Sequence, residues 1–116
     1  MKVEFEKNML IACELLSYSH LRGATEYHLD VKVSGEGTMF IIKASPTHFT
    51  EDEMNLLLKR LNVPRQGDME QDYWGLSGES EITSELLLVG MMVDEVDVTH
   101  EDGVLTIFLK RHMKHA

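Results

Sequence analysis

Residues 84–111, SELLLVGMMVDEVDVTHEDGVLTIFLKR, constrain the fold more than any other part of this 116-residue chain. Leu86, Leu87, Leu88, Val89, Met91, Met92 and Val93 form an apolar run interrupted only by Gly90. Leu86, Val89 and Val93 recur at i, i+3 and i+7, the spacing of one helix face. The other faces are apolar too, so the run predicts a helix buried nearly all round. The period then changes to two: Val96, Val98 and His100 alternate with Glu95, Asp97 and Thr99. Asp102-Gly103 supplies a tight turn, and Val104 to Leu109 reads as the returning strand. A buried helix feeding a β-hairpin needs other elements to cover it, and the rest of the chain must supply them.

Upstream, residues 2–22 read as a helix with Phe5, Met9, Ala12, Cys13, Leu16 and His20 on one face. Gly23 ends it. Tyr27, Leu29, Val31 and Val33 alternate with His28, Asp30, Lys32 and Ser34, the pattern of a half-buried strand. Gly35-Glu36-Gly37 turns the chain. Thr38 to Ala44, apolar on both faces at its middle, belongs inside the sheet, and Pro46 ends it. Thr50-Glu51-Asp52-Glu53 matches a capping box, and Met54, Leu57, Leu58 and Leu61 mark the face of the helix that follows. Pro64 stops that helix. A short helix is expected from Gly67 to Trp74. Two hairpins separated by helices predict a single α+β domain over residues 1–116. Its architecture is a two-layer sandwich with helices on one face of a four-stranded antiparallel or mixed sheet.

Composition narrows the function. The net charge of −9, with a basic tail limited to Lys110, Arg111 and Lys114, argues against nucleic acid, whose binding draws on a basic surface. No apolar run approaches the roughly 20 residues a membrane span needs. The opening MKVEFEKNML lacks a signal-peptide apolar core, and the single Cys13 excludes an internal disulfide. A cytoplasmic setting is the expectation. The six histidines show no H-E-x-x-H or related clustering, so no metal site is expected. His112 and His115 share one face only if the tail is helical.

The segment Glu14-Leu15-Leu16-Ser17-Tyr18-Ser19-His20-Leu21-Arg22-Gly23 resembles the end of the first conserved helix of the histidine-kinase-like ATPase superfamily, E-L-L-x-N-A-x-x-H-G. Leu86 to Val98 and Glu101-Asp102-Gly103-Val104-Leu105 resemble that family's last helix and hairpin. The resemblance follows the order of elements from residue 10 to residue 110 and implies the family's sandwich fold. It also implies a lost nucleotide site. The family's Mg²⁺-holding Asn aligns with Tyr18. The adenine-reading D-x-G-x-G is replaced by Ala44-Ser45-Pro46-Thr47-His48, and the phosphate glycines by Ser84-Glu85. Glu79, Glu81 and Glu85 would repel a triphosphate. The implied protein is a non-catalytic regulatory or protein-interaction domain of signalling type, with no cofactor. The alternatives are an atypical ATP-binding kinase or ATPase, with Glu14, Tyr18, Ser45 and Ser84 at its nucleotide, or a small-ligand sensor with a pocket near Trp74.

Three other features invite a role. His20 is expected as a packed imidazole on the buried face of the first helix, against the sharper reading of a phosphoryl-accepting relay histidine. Cys13, in the same stripe, is expected as a small buried hydrophobe. The loop Asp72-Tyr73-Trp74-Gly75-Leu76-Ser77-Gly78-Glu79 holds the only Trp, which either plugs the core or, with Tyr73, anchors a protein partner. A homodimer is also expected, because the Leu86–Val93 run is apolar on more faces than one sheet covers.

Overall fold

The structure, a computed structural model, describes residues 2–62 and 86–113. In chain order these form α1 (Lys2–Leu21), β1 (Glu26–Ser34), β2 (Gly37–Ser45), α2 (Glu51–Leu61), α3 (Leu87–Met92), β3 (Glu95–Glu101) and β4 (Val104–His112). The four strands make one sheet in the order β1-β2-β4-β3, every neighbour antiparallel. The expected α+β class, with helices packed against a four-stranded antiparallel sheet, is what the chain adopts. The expected short helix 67–74, the stop at Pro64, Tyr73, Trp74, Ser84 and His115 lie outside the described residues.

The register explains why β2 and β4 are central. Leu29, Ile42, Ile107 and Val98 stand side by side across the sheet, and so do Val31, Phe40, Leu109 and Val96. In both rows the two middle residues are fully buried and the two outer ones partly so. Ile11, Leu15, Tyr18, Leu57, Leu61, Leu86, Val89, Met92 and Val93 pack on this face from the helices. The opposite face is charged and polar around half-buried Met39, Ile41 and Phe108, which is why the middle of β2 reads apolar on both sides.

Each hairpin turn follows from its residues. Asp102 and Gly103 both take positive φ, 52° and 79°, the mirror-image turn whose twist matches the flanking strands. At the other hairpin Gly37 has φ 145° and lies against β4 so closely that a Cβ would run into the Arg111 carbonyl oxygen. Thr50 caps α2 as its sequence predicts: its hydroxyl accepts from Glu53 N–H at 3.1 Å while Thr50 N–H donates to Glu53 Oε1 at 2.8 Å. In and beside α3, Leu86, Val89, Met92 and Val93 are buried, Met91 is half-buried, and α2 packs against the helix, so the chain itself covers this part of the apolar surplus.

The face of α1 differs from expectation. Lys7, Asn8, Ile11, Ala12, Leu15, Tyr18 and Ser19 are buried, whereas Phe5 is 60% exposed and Cys13 and His20 face solvent. The buried cysteine and packed histidine are therefore corrected to surface residues. The helix carries two competing stripes of similar polarity. The one that wins includes polar groups that find partners inside: Asn8 Nδ2 donates to Thr38 Oγ1 at 3.1 Å, and Ser19 Oγ donates to the Leu15 carbonyl at 2.8 Å. His112 is likewise no helical residue. It ends β4, its N–H donating to Asp94 Oδ2 and its Nε2 lying 2.7 Å from Glu95 Oε2.

Candidate functional site

Four pieces of chain converge at one end of the sheet: the last turns of α1, the connection 46–50, the first turn of α2 and the β3–β4 turn. Thr47, 1% exposed, fastens the connection to the turn. Its N–H and its hydroxyl both donate to the Gly103 carbonyl, at 2.8 and 3.0 Å. His100 Nε2 lies 3.2 Å from the Thr47 carbonyl and 3.0 Å from its hydroxyl oxygen. A carbonyl only accepts and that hydroxyl proton is engaged on Gly103, so Nε2 carries the ring proton and donates. In that tautomer the acceptor nitrogen is Nδ1.

A line of rings runs inward from His100. Phe49 meets the imidazole edge-on, with centroids 5.1 Å apart and planes at 68°, and Tyr18 lies 6.4 Å beyond Phe49. The Arg22 guanidinium sits 4.9 Å from the Phe49 centroid and 5.4 Å from that of Tyr18. It donates from Nε to the Tyr18 hydroxyl at 3.2 Å and from a terminal nitrogen to Glu53 Oε2 at 3.0 Å. Burial alone would lower the Arg22 pKa, but the Tyr18 hydrogen bond and the Glu53 carboxylate outweigh it and the net shift is upward. Glu53 is held below the usual carboxylate range by the Thr50 N–H first and the Arg22 guanidinium second.

Outside this line lies an open groove of about 510 Å³, bordered by Thr47 to Thr50, Glu53, His100, Asp102 and Gly103. Its charge comes from two carboxylates, and its bases are His48 and His100. Glu53 is already engaged by the helix cap and by Arg22. Among the described residues no three His, Cys, Asp or Glu side chains are grouped to hold a metal ion. The groove offers a hydrogen-bonding imidazole beside an aromatic wall, and nothing in its lining suits a polyphosphate.

Of the residues expected at a nucleotide, Tyr18 is buried in the core, Glu14 is half-buried, and Ser45 is half-buried with its carbonyl accepting from Thr25 N–H at 3.0 Å. His20 Nδ1 lies 3.4 Å from the Tyr27 hydroxyl, whose proton is donated to the Ala24 carbonyl at 2.7 Å. Sequence reasoning missed Arg22 and Phe49. Phe49 carried a usable signal, since an apolar residue just before a capping box, with Met54 four residues past the cap, is the pattern of a hydrophobic staple. Arg22 carried none beyond being a helix-ending cation.

No family model and no curated protein matches this chain.

Proposed function

We propose that this is a non-catalytic regulatory domain that acts by binding another protein, built on a histidine-kinase-like ATPase scaffold whose nucleotide site its own side chains fill. One observation carries the reading. Tyr18, where the resemblance would place the Mg²⁺-holding Asn, is 3% exposed, with its hydroxyl under Arg22 and Arg22 fixed by Glu53. A nucleotide would have to displace this packed arrangement and then meet carboxylates. A signalling role in the cytoplasm belongs to the same proposal. The absence of any described helix long and apolar enough to cross a membrane is compatible with it.

Calorimetry with millimolar Mg-ATP tests the reading, and no binding heat is the expected result. Micromolar affinity would overturn it in favour of an atypical kinase or ATPase. The groove beside His100 favours a second reading, a small-ligand sensor. That reading now points to Phe49 and His100, since the pocket expected at Trp74 lies outside the described residues. Thermal-shift screening against small polar aromatics distinguishes the two, because a pure protein-binding domain gives no stabilisation.

A further inference from the structure

The sheet has two edges, and their charges differ in kind. β1 and β3 each pair with one neighbour only, so every second residue of each turns its backbone N–H and C=O toward an edge that no described strand covers. On β3 the outward charges are Glu95, Asp97 and Glu101, all of one sign. Two copies meeting there antiparallel about Val98 would set Glu95 against Glu101. That edge repels its own kind.

β1 reads Glu26-Tyr27-His28-Leu29-Asp30-Val31-Lys32, and about Leu29 this sequence is complementary to itself. We propose that β1 pairs antiparallel with β1 of a second copy of this chain, about a two-fold axis at Leu29, so that two four-stranded sheets continue as one. In that register Glu26 stands opposite the partner's Lys32 and His28 opposite the partner's Asp30, all on the solvent face of the sheet. On the helix-covered face Leu29 meets the partner's Leu29, and Tyr27 meets the partner's Val31. Cross-strand pairs of both kinds stabilise an antiparallel ladder.

Neighbouring registers lose this match. An axis at Asp30 sets Asp30 against itself, and an axis at His28 sets Glu26 against Asp30. A slip by one residue sets Leu29 against Asp30 and mixes the two faces. The pairing also covers apolar surface that the monomer leaves open, since Tyr27 is 37% exposed and Leu29 and Val31 are only half-buried. Among the described residues Glu26 is paired with His28 on its own strand, at 3.2 Å and exposed, so little is lost by exchanging that contact for Lys32 of the partner subunit. An isologous contact of this kind closes at two copies. The inference is independent of whether a nucleotide binds.

Sedimentation equilibrium on the full chain, from micromolar to about a millimolar protein, reads the outcome. The wild type is expected to reach a dimer mass and stop. Lys32→Glu, which sets like charges opposite each other at two symmetric points, is expected to raise the dimer dissociation constant by about tenfold, and Glu26→Lys the same. The double variant Glu26→Lys/Lys32→Glu restores opposite charges and is expected to recover wild-type association. Circular dichroism confirms that all variants fold, as exposed positions allow. A mass that stays monomeric throughout overturns the proposal. So does a dimer indifferent to the single reversals or not recovered by the double one, and so does growth beyond two copies, the mark of β1 pairing with β3.

Discussion

Arg22, just past the last turn of α1, and Glu53, in the first turn of α2, are joined by a hydrogen-bonded ion pair of 3.0 Å. The same Glu53 carboxylate accepts Thr50 N–H with its other oxygen. One side chain therefore closes a helix cap and ties two helices together.

That double use makes a pH prediction. The Glu53 pKa is lowered on folding, first by the Thr50 N–H and then by Arg22. Its contribution is therefore present above the ordinary glutamate range, about 4.3, and disappears as pH falls through the lower folded value. Glu53→Gln keeps the acceptor for Thr50 but loses the charge. The melting temperature of the variant is expected to lie below wild type near neutral pH, and the two curves to converge in acid. A gap that persists unchanged to the acid end would show that the charge is not what stabilises.

The burial of α1 is open to direct test. Leu15 is fully buried and Phe5 largely exposed. Leu15→Ala is expected to cost about 2–5 kcal/mol in chemical denaturation, and Phe5→Ser to fall within about 0.5 kcal/mol of wild type. The reverse ranking would restore the other stripe.

Cys13 offers a chemical reading of the same face. It is exposed and is the only cysteine in the chain. A thiol reagent is expected to label the native protein to one equivalent without denaturant, at a rate close to that of the unfolded chain. Protection that is lifted only on unfolding would place Cys13 in the core.

Asn8 is 6% exposed, and its Oδ1 has no partner among the described residues, although its Nδ2 donates to Thr38 Oγ1. Removing one member leaves the other unmatched, whereas removing both removes the mismatch. Asn8→Leu and Thr38→Val are each expected to destabilise by about 1–3 kcal/mol, and the pair together by less than their sum. Strict additivity in a double-mutant cycle would show that the two do not act as a unit.

Gly37 cannot be replaced cheaply. A Cβ there meets the Arg111 carbonyl oxygen and comes within 3.0 Å of His112 Cα, both backbone of the paired strand, at a φ of 145°. Gly37→Ala is expected to cost more than about 2 kcal/mol, while Gly35→Ala, whose Cβ would have open space, costs far less. Equal melting temperatures for the two variants would contradict this close approach of β2 to β4.

The elements that were legible in the sequence are those with a local signature. The Asp102-Gly103 turn, the Thr50 capping box and the two-sided apolar centre of β2 each announce themselves within a few residues. The face of α1 was not legible, because Lys7, Asn8 and Ser19 look like solvent residues until Thr38 and the Leu15 carbonyl are seen beside them. The candidate site was legible only in fragments. Glu53 appeared as a cap residue and His100 as a strand residue, but the contact between Thr47 and Gly103 that brings their neighbourhoods together spans most of the second half of the chain. No spacing rule reports a contact of that range.

The β2–β4 seam is expected to set the tempo at which this molecule assembles. Each hairpin closes locally and on its own, yet the seam pairs residues roughly sixty to seventy-five positions apart, from Ala44↔Leu105 to Gly37↔His112. The loop entropy of bringing the hairpins together must be met before the rows through Phe40 and Ile42 are complete. Five core residues, Phe40, Ile42, Leu105, Ile107 and Leu109, lie on this seam, and the helices from both halves pack over them. Refolding is therefore expected as one cooperative event limited by the encounter of two preformed halves, and mutations at Phe40 or Leu109 slow folding more than mutations at the Asp102-Gly103 turn.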